Sequence, residues 1–220
     1  MQPLVSIVIP THGRPEKLWN CLQAIGEVEY PSDRFEVIVV DDGSSVAVEN
    51  SVKSFGESFP LRVLRQDNRG PAVARNTGMR SAAGSLIAFT DDDCQPDRNW
   101  LRQLAESHQR NPDAALGGQV RNALSDRICS EASQLLVDYL YEYYGSLSNG
   151  SGFFTSNNLA FPAKTLTDLG GFDETFPLAA GEDREICDRW TRGGRQLLYV
   201  PEAIVYHRHD LTIPRFAAAV

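Results

Sequence analysis

The chain has 220 residues, of which 42% are hydrophobic and 23% charged, and this ordinary balance predicts a folded globular protein rather than a disordered one. Its formal charge of −8 argues against a nucleic-acid-binding protein, because phosphate contacts need clustered Lys and Arg. The four cysteines are widely spaced with no Cys-x-x-Cys pair, which argues against a zinc ribbon or a disulfide scaffold.

The first half of the chain alternates short apolar segments with amphipathic ones. Runs rich in β-branched residues predict buried strands at Leu4–Ile9, Phe35–Val40, Leu61–Leu64 and Leu86–Phe89. Helices are predicted over 15–25, from after Ser44 to about Phe55, and over 71–82 and 97–109. Because strands that alternate with helices imply right-handed crossovers, we expect an α/β fold with a Rossmann-like, mainly parallel central sheet flanked by helices.

The second half has a less regular pattern. Strands are predicted over 115–121 and 155–161 and at Gln196–Val200 and Ile204–His207, and helices over 129–144 and from about Gly181 to Arg192. The small polar segment Ser146–Gly152 indicates a loop, which we expect to order over a bound ligand. Since no linker divides the chain, residues 1–220 are expected to form a single domain.

Three of the predicted strands end in polar segments, namely Pro10–Arg14, Asp41–Ser44 and Asp91–Asp93. Ligands of an open parallel sheet bind outside the carboxyl ends of its strands, so these segments predict one shared site. Asp91 and Asp93 offer the oxygen ligands that Mg²⁺ and Mn²⁺ prefer, together with substrate phosphates. The alternatives left open are a solvated acidic turn for the triple aspartate and a plain Asp-Gly turn for the second segment.

Acidic residues stand at the start of the last predicted helix. The helix dipole stabilises acids in a first turn, which would explain Glu182 and Asp183 without any catalytic role. The alternative is a general base at Asp183, on a helix that Glu182, Ile186 and Trp190 anchor in the core through their spacing of four residues.

Histidines and tyrosines in the second half each allow two interpretations, of which the pattern alone favours the structural one. His207 and His209 lie on one side of a predicted strand end, where a metal ligand and an ordinary hydrogen-bonded histidine are both compatible with the pattern. The same applies to four tyrosines that either stack on sugars or pack the helix: Tyr139, Tyr141, Tyr143 and Tyr144.

Seven segments follow one another in a recognisable order: Val8–Thr11, Val39–Ser44, Gly70–Gly78, Phe89–Asp93, Gly170–Glu174, Gly181–Asp183, and Tyr199–Ala203 leading to His207. Together they resemble the motifs of family 2 glycosyltransferases with the GT-A fold. Each segment alone is weakly specific, but the ordered set spans nearly the whole chain and is highly specific. The resemblance implies a GT-A-type fold with a nucleotide-binding half at 1–95 and an acceptor-binding and catalytic half at 96–220.

The resemblance also implies a function. It implies an inverting transfer of a sugar from a nucleoside diphosphate sugar, with UDP favoured, to a hydroxyl on a saccharide, lipid-linked or other acceptor. The sequence lacks the Gln-x-x-Arg-Trp motif that marks processive polysaccharide synthases, which favours a non-processive transfer. By position, Asp183 would be the catalytic base, while Asp93, Asp91 and His207 would hold a Mg²⁺ or Mn²⁺ cofactor in a DXD-type motif. The remaining donor contacts would come from Pro10, Thr11, Arg14, Asp42, Arg75, Asp91, Asp92 and Glu182.

Two other functions stay open at this point. A nucleotidyltransferase with a related fold usually needs a basic, Gly-rich first loop for a triphosphate, where this chain supplies only Arg14 and Lys17. A non-catalytic nucleotide-sugar-binding module would tolerate loss of the base, yet Asp183 and the triple aspartate are present. His12-Gly13 also departs from the aromatic or Asn residues usual after the first strand in the family, which leaves the base contacts there open.

The apolar pattern bears on location. The first residues indicate a strand rather than a signal peptide, and no run approaches the roughly 20 apolar residues that a membrane-spanning helix needs. We therefore expect a cytoplasmic protein without a transmembrane segment, and peripheral association with the inner membrane face stays open.

Overall fold

The computed structural model describes residues 2–145, 152–176 and 181–210. In these ranges the strands are β1 (Val5–Thr11), β2 (Phe35–Asp42), β3 (Leu61–Gln66), β4 (Leu86–Phe89), β5 (Cys94–Pro96), β6 (Ala115–Asn122), β7 (Leu159–Pro162) and β8 (Leu197–His207). The α-helices are α1 (Pro15–Gly26), α2 (Glu49–Val52), α3 (Pro71–Ser81), α4 (Trp100–Arg110), α5 (Ile128–Gly145), α6 (Ala163–Leu169) and α7 (Glu182–Arg192). The loop expected to order over a ligand falls outside the described residues, apart from Gly152.

The described strands form one sheet in the order β3-β2-β1-β4-β7-β6-β8-β5. β1 pairs in parallel with β2 and β4, and β3 with β2, which confirms the α/β fold and the parallel centre of the sheet. β6 and β8 are also parallel, whereas β7 pairs antiparallel with β4 and β6, and β5 with β8. The sheet is therefore mainly parallel, and its antiparallel pairs all involve elements of the second half or the short β5.

Alternation along the central strands divides the core between the two faces of the sheet. Ile7 and Ile9 of β1 lie in one buried cluster with Leu18 of α1 and Trp100 of α4. Their neighbour Val8 lies in the other cluster, which contains residues of α3, α6 and α7. Because both faces are covered, β1 and β4 are buried along their whole length, which explains why their sequences are almost continuously apolar.

The helix predicted from after Ser44 to about Phe55 is wrong in extent. The structure has only the four-residue α2, followed by a 3-10 turn at Lys53–Glu57. Val48, Val52 and Phe55 do pack against the core at helical spacing, but serines and Gly56 lie between and after them and have poor helix propensity, so the regular helix is confined to one turn around Val52.

The helix predicted over 97–109 also begins later. Residues Cys94–Pro96 pair with β8 as β5, an element too short to show a period, and Asp97 then accepts a hydrogen bond from the backbone N–H of Asn99 (2.9 Å). This local turn holds Asp97 outside the helix, so α4 starts at Trp100.

Two predictions in the second half need correction, and one helix there was not predicted. Ser156–Asn158 form a 3-10 turn, so the strand predicted over 155–161 begins only at Leu159, and α6 follows it where no helix was predicted. The two strands predicted between 196 and 207 are one strand, β8, whose pairing with β6 is irregular between Val200 and Ile204. Pro201 lies in this interruption and has no N–H to donate, which explains why the sequence pattern is broken there.

Among the described residues, no helix combines the length and the apolar character needed to cross a membrane.

Candidate active site

The polar segments after β1, β2 and β4 lie together, as the sequence predicts. The Thr11 hydroxyl donates a hydrogen bond to Asp92 Oδ2 (2.7 Å), which joins the ends of β1 and β4. His12 Nδ1 lies 2.8 Å from the backbone oxygen of Asp42, which joins the ends of β1 and β2. These contacts follow from the sheet order, because β2, β1 and β4 are adjacent and parallel.

A first cavity of about 180 Å³ lies at these strand ends, and we call it the strand-end pocket. It contains six of the residues expected to contact a nucleotide sugar, and its lining is Pro10, Thr11, His12, Arg14, Asp42, Pro71, Ala74, Arg75 and Asp91. The start of α3 forms one wall through Pro71 and Ala74.

The carboxylate of Asp42 organises this wall. Its Oδ1 accepts hydrogen bonds from the side chain of Gln66 (2.8 Å) and the backbone N–H of Arg69 (2.9 Å), and its Oδ2 accepts one from Gly70 (2.9 Å). A carboxylate offers about four lone-pair sites, so a further donor can still be accommodated. Asp41 instead stabilises its own turn by accepting from the backbone N–H of Ser44 (2.9 Å).

A second cavity of about 220 Å³ lies between α5 and the start of α7, and we call it the α5–α7 pocket. It contains Glu182, Asp183, His207 and His209, and it shares Arg75 and Asp91 with the strand-end pocket. The rest of its lining is Val120, Asn122, Ser130, Ser133, Gln134, Val137, Thr155, Ser156 and Asn157. The shared wall means that a ligand passing over Arg75 and Asp91 reaches both cavities.

Arg75 holds that wall together. Its Nη1 donates to Glu182 Oε1 (2.9 Å) and its Nη2 to Asp91 Oδ1 (2.9 Å). Arg75 and Glu182 are both buried, and the second carboxylate oxygen of Glu182 has no hydrogen-bond partner among the described residues. The Glu182 carboxylate therefore depends on Arg75 to offset the cost of its burial.

Asp183 lies beside this pair on the first turn of α7. Burial, together with the negative charge of Glu182, raises the pKa of Asp183 to about 6. The backbone N–H of Ser156 lies 3.4 Å from its Oδ2. Glu182, Ile186 and Trp190 are all buried, which confirms the predicted anchoring of the helix that carries the carboxylate.

Asp93 and His207 form a second pair of ionisable side chains in the site. His207 Nε2 lies 3.3 Å from Asp93 Oδ1, whereas Oδ2 accepts from Arg14 Nη1 (3.1 Å) and Lys17 Nζ (3.1 Å). Although burial alone would raise it, the pKa of Asp93 is held well below its usual range by His207, Arg14 and Lys17. The imidazoles of His207 and His209 stack, with centroids 4.8 Å apart.

The triple aspartate therefore divides into three different environments. Asp93 faces His207, whereas Asp91 faces Arg75, so the expected pairing of Asp91 with Asp93 on one ion is not preformed. Asp92 is fully buried and lines neither pocket; burial raises its pKa to about 7 in spite of Arg14. Its carboxylate reaches Thr11 and Arg14 rather than the cavity.

Sequence reasoning missed several residues of this site. Lys17 stands three residues after Arg14 at the start of α1, so helical spacing places both cations near Asp93, and that spacing was a usable signal. The α5 residues Ser130, Ser133 and Gln134 reach the second pocket only through long-range packing, for which the sequence carries no local signal.

The family description "Glycosyl transferase family 2" matches residues 6–169 of this chain. The pre-mycofactocin glycosyltransferase of Mycobacterium tuberculosis is 31% identical over 218 residues, which cover 93% of this chain and 43% of that protein. This chain thus spans less than half the length of that relative.

Solved structures share the fold. S. aureus TarS 1–349 in complex with UDP-GlcNAc superimposes with a TM-score of 0.79 at 17% identity, over 100% of this chain and 62% of that one. The mannosyltransferase PcManGT from Pyrobaculum calidifontis, in complex with GDP-Man and Mn²⁺, superimposes with a TM-score of 0.71 at 24% identity, over 96% of this chain and 58% of that one. At these identities the likeness shows the fold alone.

Proposed function

The chain belongs to glycosyl transferase family 2, and on that premise we propose that it transfers a sugar from a nucleoside diphosphate sugar to an acceptor hydroxyl, with inversion at the anomeric carbon. The observation that carries the proposal is the wall of Arg75 and Asp91 that the two pockets share. A donor lying across this wall has its nucleotide in the strand-end pocket and its sugar beside Asp183.

The strand-end pocket supplies the nucleotide contacts. Pro10 and Thr11 line one side, and Asp42 retains capacity to accept a hydrogen bond from a base N–H. Asp91, at the junction of the pockets, is placed to accept from a ribose hydroxyl. Asp92 takes a positioning role in this proposal, since it holds Thr11 and Arg14 from behind the cavity.

The donor set fits a hard divalent cation, Mg²⁺ or Mn²⁺. Asp93 Oδ1 faces His207, while the two neighbouring cations are confined to Oδ2, so one carboxylate oxygen and one imidazole remain for an ion. Such ions need few protein ligands when diphosphate oxygens complete their coordination. When bound, the cation stabilises the negative charge that develops on the leaving diphosphate. Arg14 and Lys17 add positive charge at the same place.

Asp183 has the properties of a general base for the acceptor hydroxyl. Its carboxylate is ionised at neutral pH, because its pKa of about 6 lies below 7, yet it is a stronger proton acceptor than an ordinary aspartate. Attack from the side of Asp183, opposite the leaving diphosphate, inverts the anomeric centre without a covalent sugar–enzyme intermediate. Glu182 acts indirectly in this proposal, because it fixes Arg75 through an ion pair and raises the pKa of Asp183.

The α5–α7 pocket favours a polyhydroxylated acceptor such as a saccharide. Hydroxyl and amide side chains are numerous in its lining, among them Ser130, Ser133, Gln134 and Asn157. Neutral groups of this kind both donate and accept hydrogen bonds, which matches the hydroxyls of a sugar ring.

A thermal-unfolding screen of nucleoside diphosphate sugars with Mn²⁺ tests the function. A ligand that binds only the folded state raises the apparent stability, so we expect one donor to raise the Tm. UDP-sugars are the donors that we favour. The donor found is then incubated with saccharides, and transfer is followed by release of the nucleoside diphosphate. Turnover of a sugar phosphate with a nucleoside triphosphate, without sugar transfer, would instead support the nucleotidyltransferase alternative. Binding without turnover on any acceptor would support the non-catalytic module.

A further inference from the structure

A thiol lies directly beside the proposed cation site. Cys94 is the partner of His207 across the antiparallel pair of β5 and β8, so backbone pairing places the two side chains next to each other. Asp93 precedes Cys94, and its backbone oxygen accepts a hydrogen bond from the N–H of Arg208 (2.8 Å), which extends the same pairing by one residue. The thiol sulfur, a carboxylate oxygen and an imidazole nitrogen of these residues all lie within 4.8 Å of one another.

The thiol of Cys94 adds a soft donor to the carboxylate and imidazole that could hold Mg²⁺ or Mn²⁺. Those ions favour oxygen ligands and gain little binding affinity from a sulfur ligand. One thiolate, one imidazole and one carboxylate are instead ligands that Zn²⁺ binds, commonly with three protein ligands and an open fourth position. Zn²⁺ also exceeds Mn²⁺ in intrinsic affinity for sites of this kind.

We propose that Asp93, Cys94 and His207 form a three-ligand site for a divalent cation that binds thiolate. The preferred ion is Zn²⁺, which displaces Mg²⁺ or Mn²⁺. As the sulfur–metal bond forms, the thiol proton passes to solvent, and the neutral imidazole and Asp93 Oδ1 supply the other two protein ligands. Oδ2 of Asp93 keeps its contacts with Arg14 and Lys17. The fourth position is left for water or a diphosphate oxygen.

Cys94 is one of the residues that border a cavity beside Asp93. Cys94 is fully buried, and a buried cysteine by itself is a small apolar core residue. Here, however, a cavity of about 180 Å³ is lined by Asp93 and Cys94 together with Lys17, Gln95 and Arg208. His207 approaches the same carboxylate from the α5–α7 pocket. The three residues therefore border two cavities, with the thiol itself buried at the edge of the core.

Co²⁺ is the probe that reports a sulfur ligand. Tetrahedral Co²⁺ is coloured in the visible range, and a bound thiolate adds an intense sulfur-to-cobalt charge-transfer band in the near ultraviolet. We expect wild-type protein, stripped of metal and titrated with Co²⁺ alone, to develop both features, and Zn²⁺ to abolish them on a stoichiometric basis. The concentration of Zn²⁺ that displaces half of the Co²⁺ should be at least roughly tenfold lower than that of Mn²⁺.

The variants identify the ligand. Cys94→Ser should lose the charge-transfer band, whereas Cys129→Ser, which changes a half-buried thiol on α5 outside the trio, should keep it. A band that survives in Cys94→Ser, disappears in Cys129→Ser, or is absent from the wild type overturns the proposal. Thermal unfolding without metal shows whether each variant is folded.

X-ray absorption of zinc in the wild-type protein decides the matter if Cys94→Ser does not fold. One sulfur neighbour at about 2.3 Å supports the site, and a shell of nitrogen and oxygen alone overturns it. Asp93 and His207 also belong to the proposed catalytic cation site, but these readouts need no sugar donor, so failure of glycosyl transfer and failure of this inference are separate results.

Discussion

Arg75 and Glu182 form a buried ion pair: guanidinium Nη1 lies 2.9 Å from carboxylate Oε1, and each side chain is 3% exposed. The pair joins α3 to α7 under the wall that both pockets share. It sets the position of Asp91 through the same guanidinium and the charge next to Asp183 through the carboxylate. A single buried contact thus connects the nucleotide side of the proposed site to Asp183, the proposed general base.

Removing one partner of this pair should be strongly destabilising. We expect Arg75→Met to lower the free energy of unfolding by about 3–5 kcal/mol, because it leaves the carboxylate of Glu182 buried without its counter-charge. Urea unfolding measures the change. The matched control is Lys164→Ala, which breaks the exposed pair with Asp168 and should cost less than about 1 kcal/mol. Equal losses in the two variants would show that the buried pair contributes nothing special.

Asp183→Asn tests the proposed base. The amide keeps the shape of the side chain but cannot accept the hydroxyl proton, so turnover should fall by about 10²–10⁴-fold while donor affinity changes little. The control is Asp188→Asn, on the same helix, whose carboxylate pairs with Arg192 (3.7 Å) outside the α5–α7 pocket and whose loss should leave turnover near wild type. Undiminished transfer by Asp183→Asn would remove this residue from the base role.

The pH dependence follows from the same carboxylate. Its pKa is raised to about 6, so it is protonated and inactive as a base below that pH and ionised above it. We expect kcat/KM to rise with pH through about 6 and then level off on this limb of the profile. Because Glu182 is one cause of the raised pKa, Glu182→Gln should move the midpoint to lower pH. A midpoint that moves upward, or not at all, contradicts this electrostatic account.

The sequence predicts the centre of the site well because the centre depends on strong local patterns. β1, β2 and β4 are continuous apolar runs, and polar residues at their ends must meet once the strands are parallel neighbours. The spacing of Glu182, Ile186 and Trp190 likewise predicts correctly which face of α7 is buried. In each case short-range periodicity contains the information.

Other parts of the site have no such signal. Asp91, Asp92 and Asp93 are chemically identical, and only the turn after β4 sends one inward and the other two toward different partners. The three-residue β5 is too short for a periodic pattern, so its pairing of Cys94 with His207 is visible only in three dimensions. These features arise from tertiary packing rather than from local preference.

Gly78 allows α3 to lie close against the sheet, and its replacement should be costly. A Cβ at this position would lie 2.3 Å from Cγ1 of Val8, a buried residue of the central strand. We expect Gly78→Ala to lower the free energy of unfolding by about 1–3 kcal/mol, since overpacking outweighs the better helix propensity of alanine. Gly56→Ala is the control, because open space surrounds that position. If Gly78→Ala lowers the free energy of unfolding less in a Val8→Ala background than in the wild type, the contact with Val8 is the cause. A neutral Gly78→Ala in the wild type would refute this explanation.

Donor binding should depend on a divalent cation held through Asp93. Calorimetric titration of the donor found in the screen should give at least about tenfold weaker binding in EDTA than with Mn²⁺, which is about 1.4 kcal/mol. In Asp93→Asn this difference should largely vanish, because the amide lacks the negative charge that offsets the ion. Arg14 keeps Asp92 as a partner, whereas Lys17 loses the carboxylate that it contacts. Asp126→Asn, an exposed change in the turn after β6, should retain the full difference. Equal wild-type affinity with and without EDTA would mean that Arg14 and Lys17 alone neutralise the diphosphate, and the cation would then have no place in the binding step.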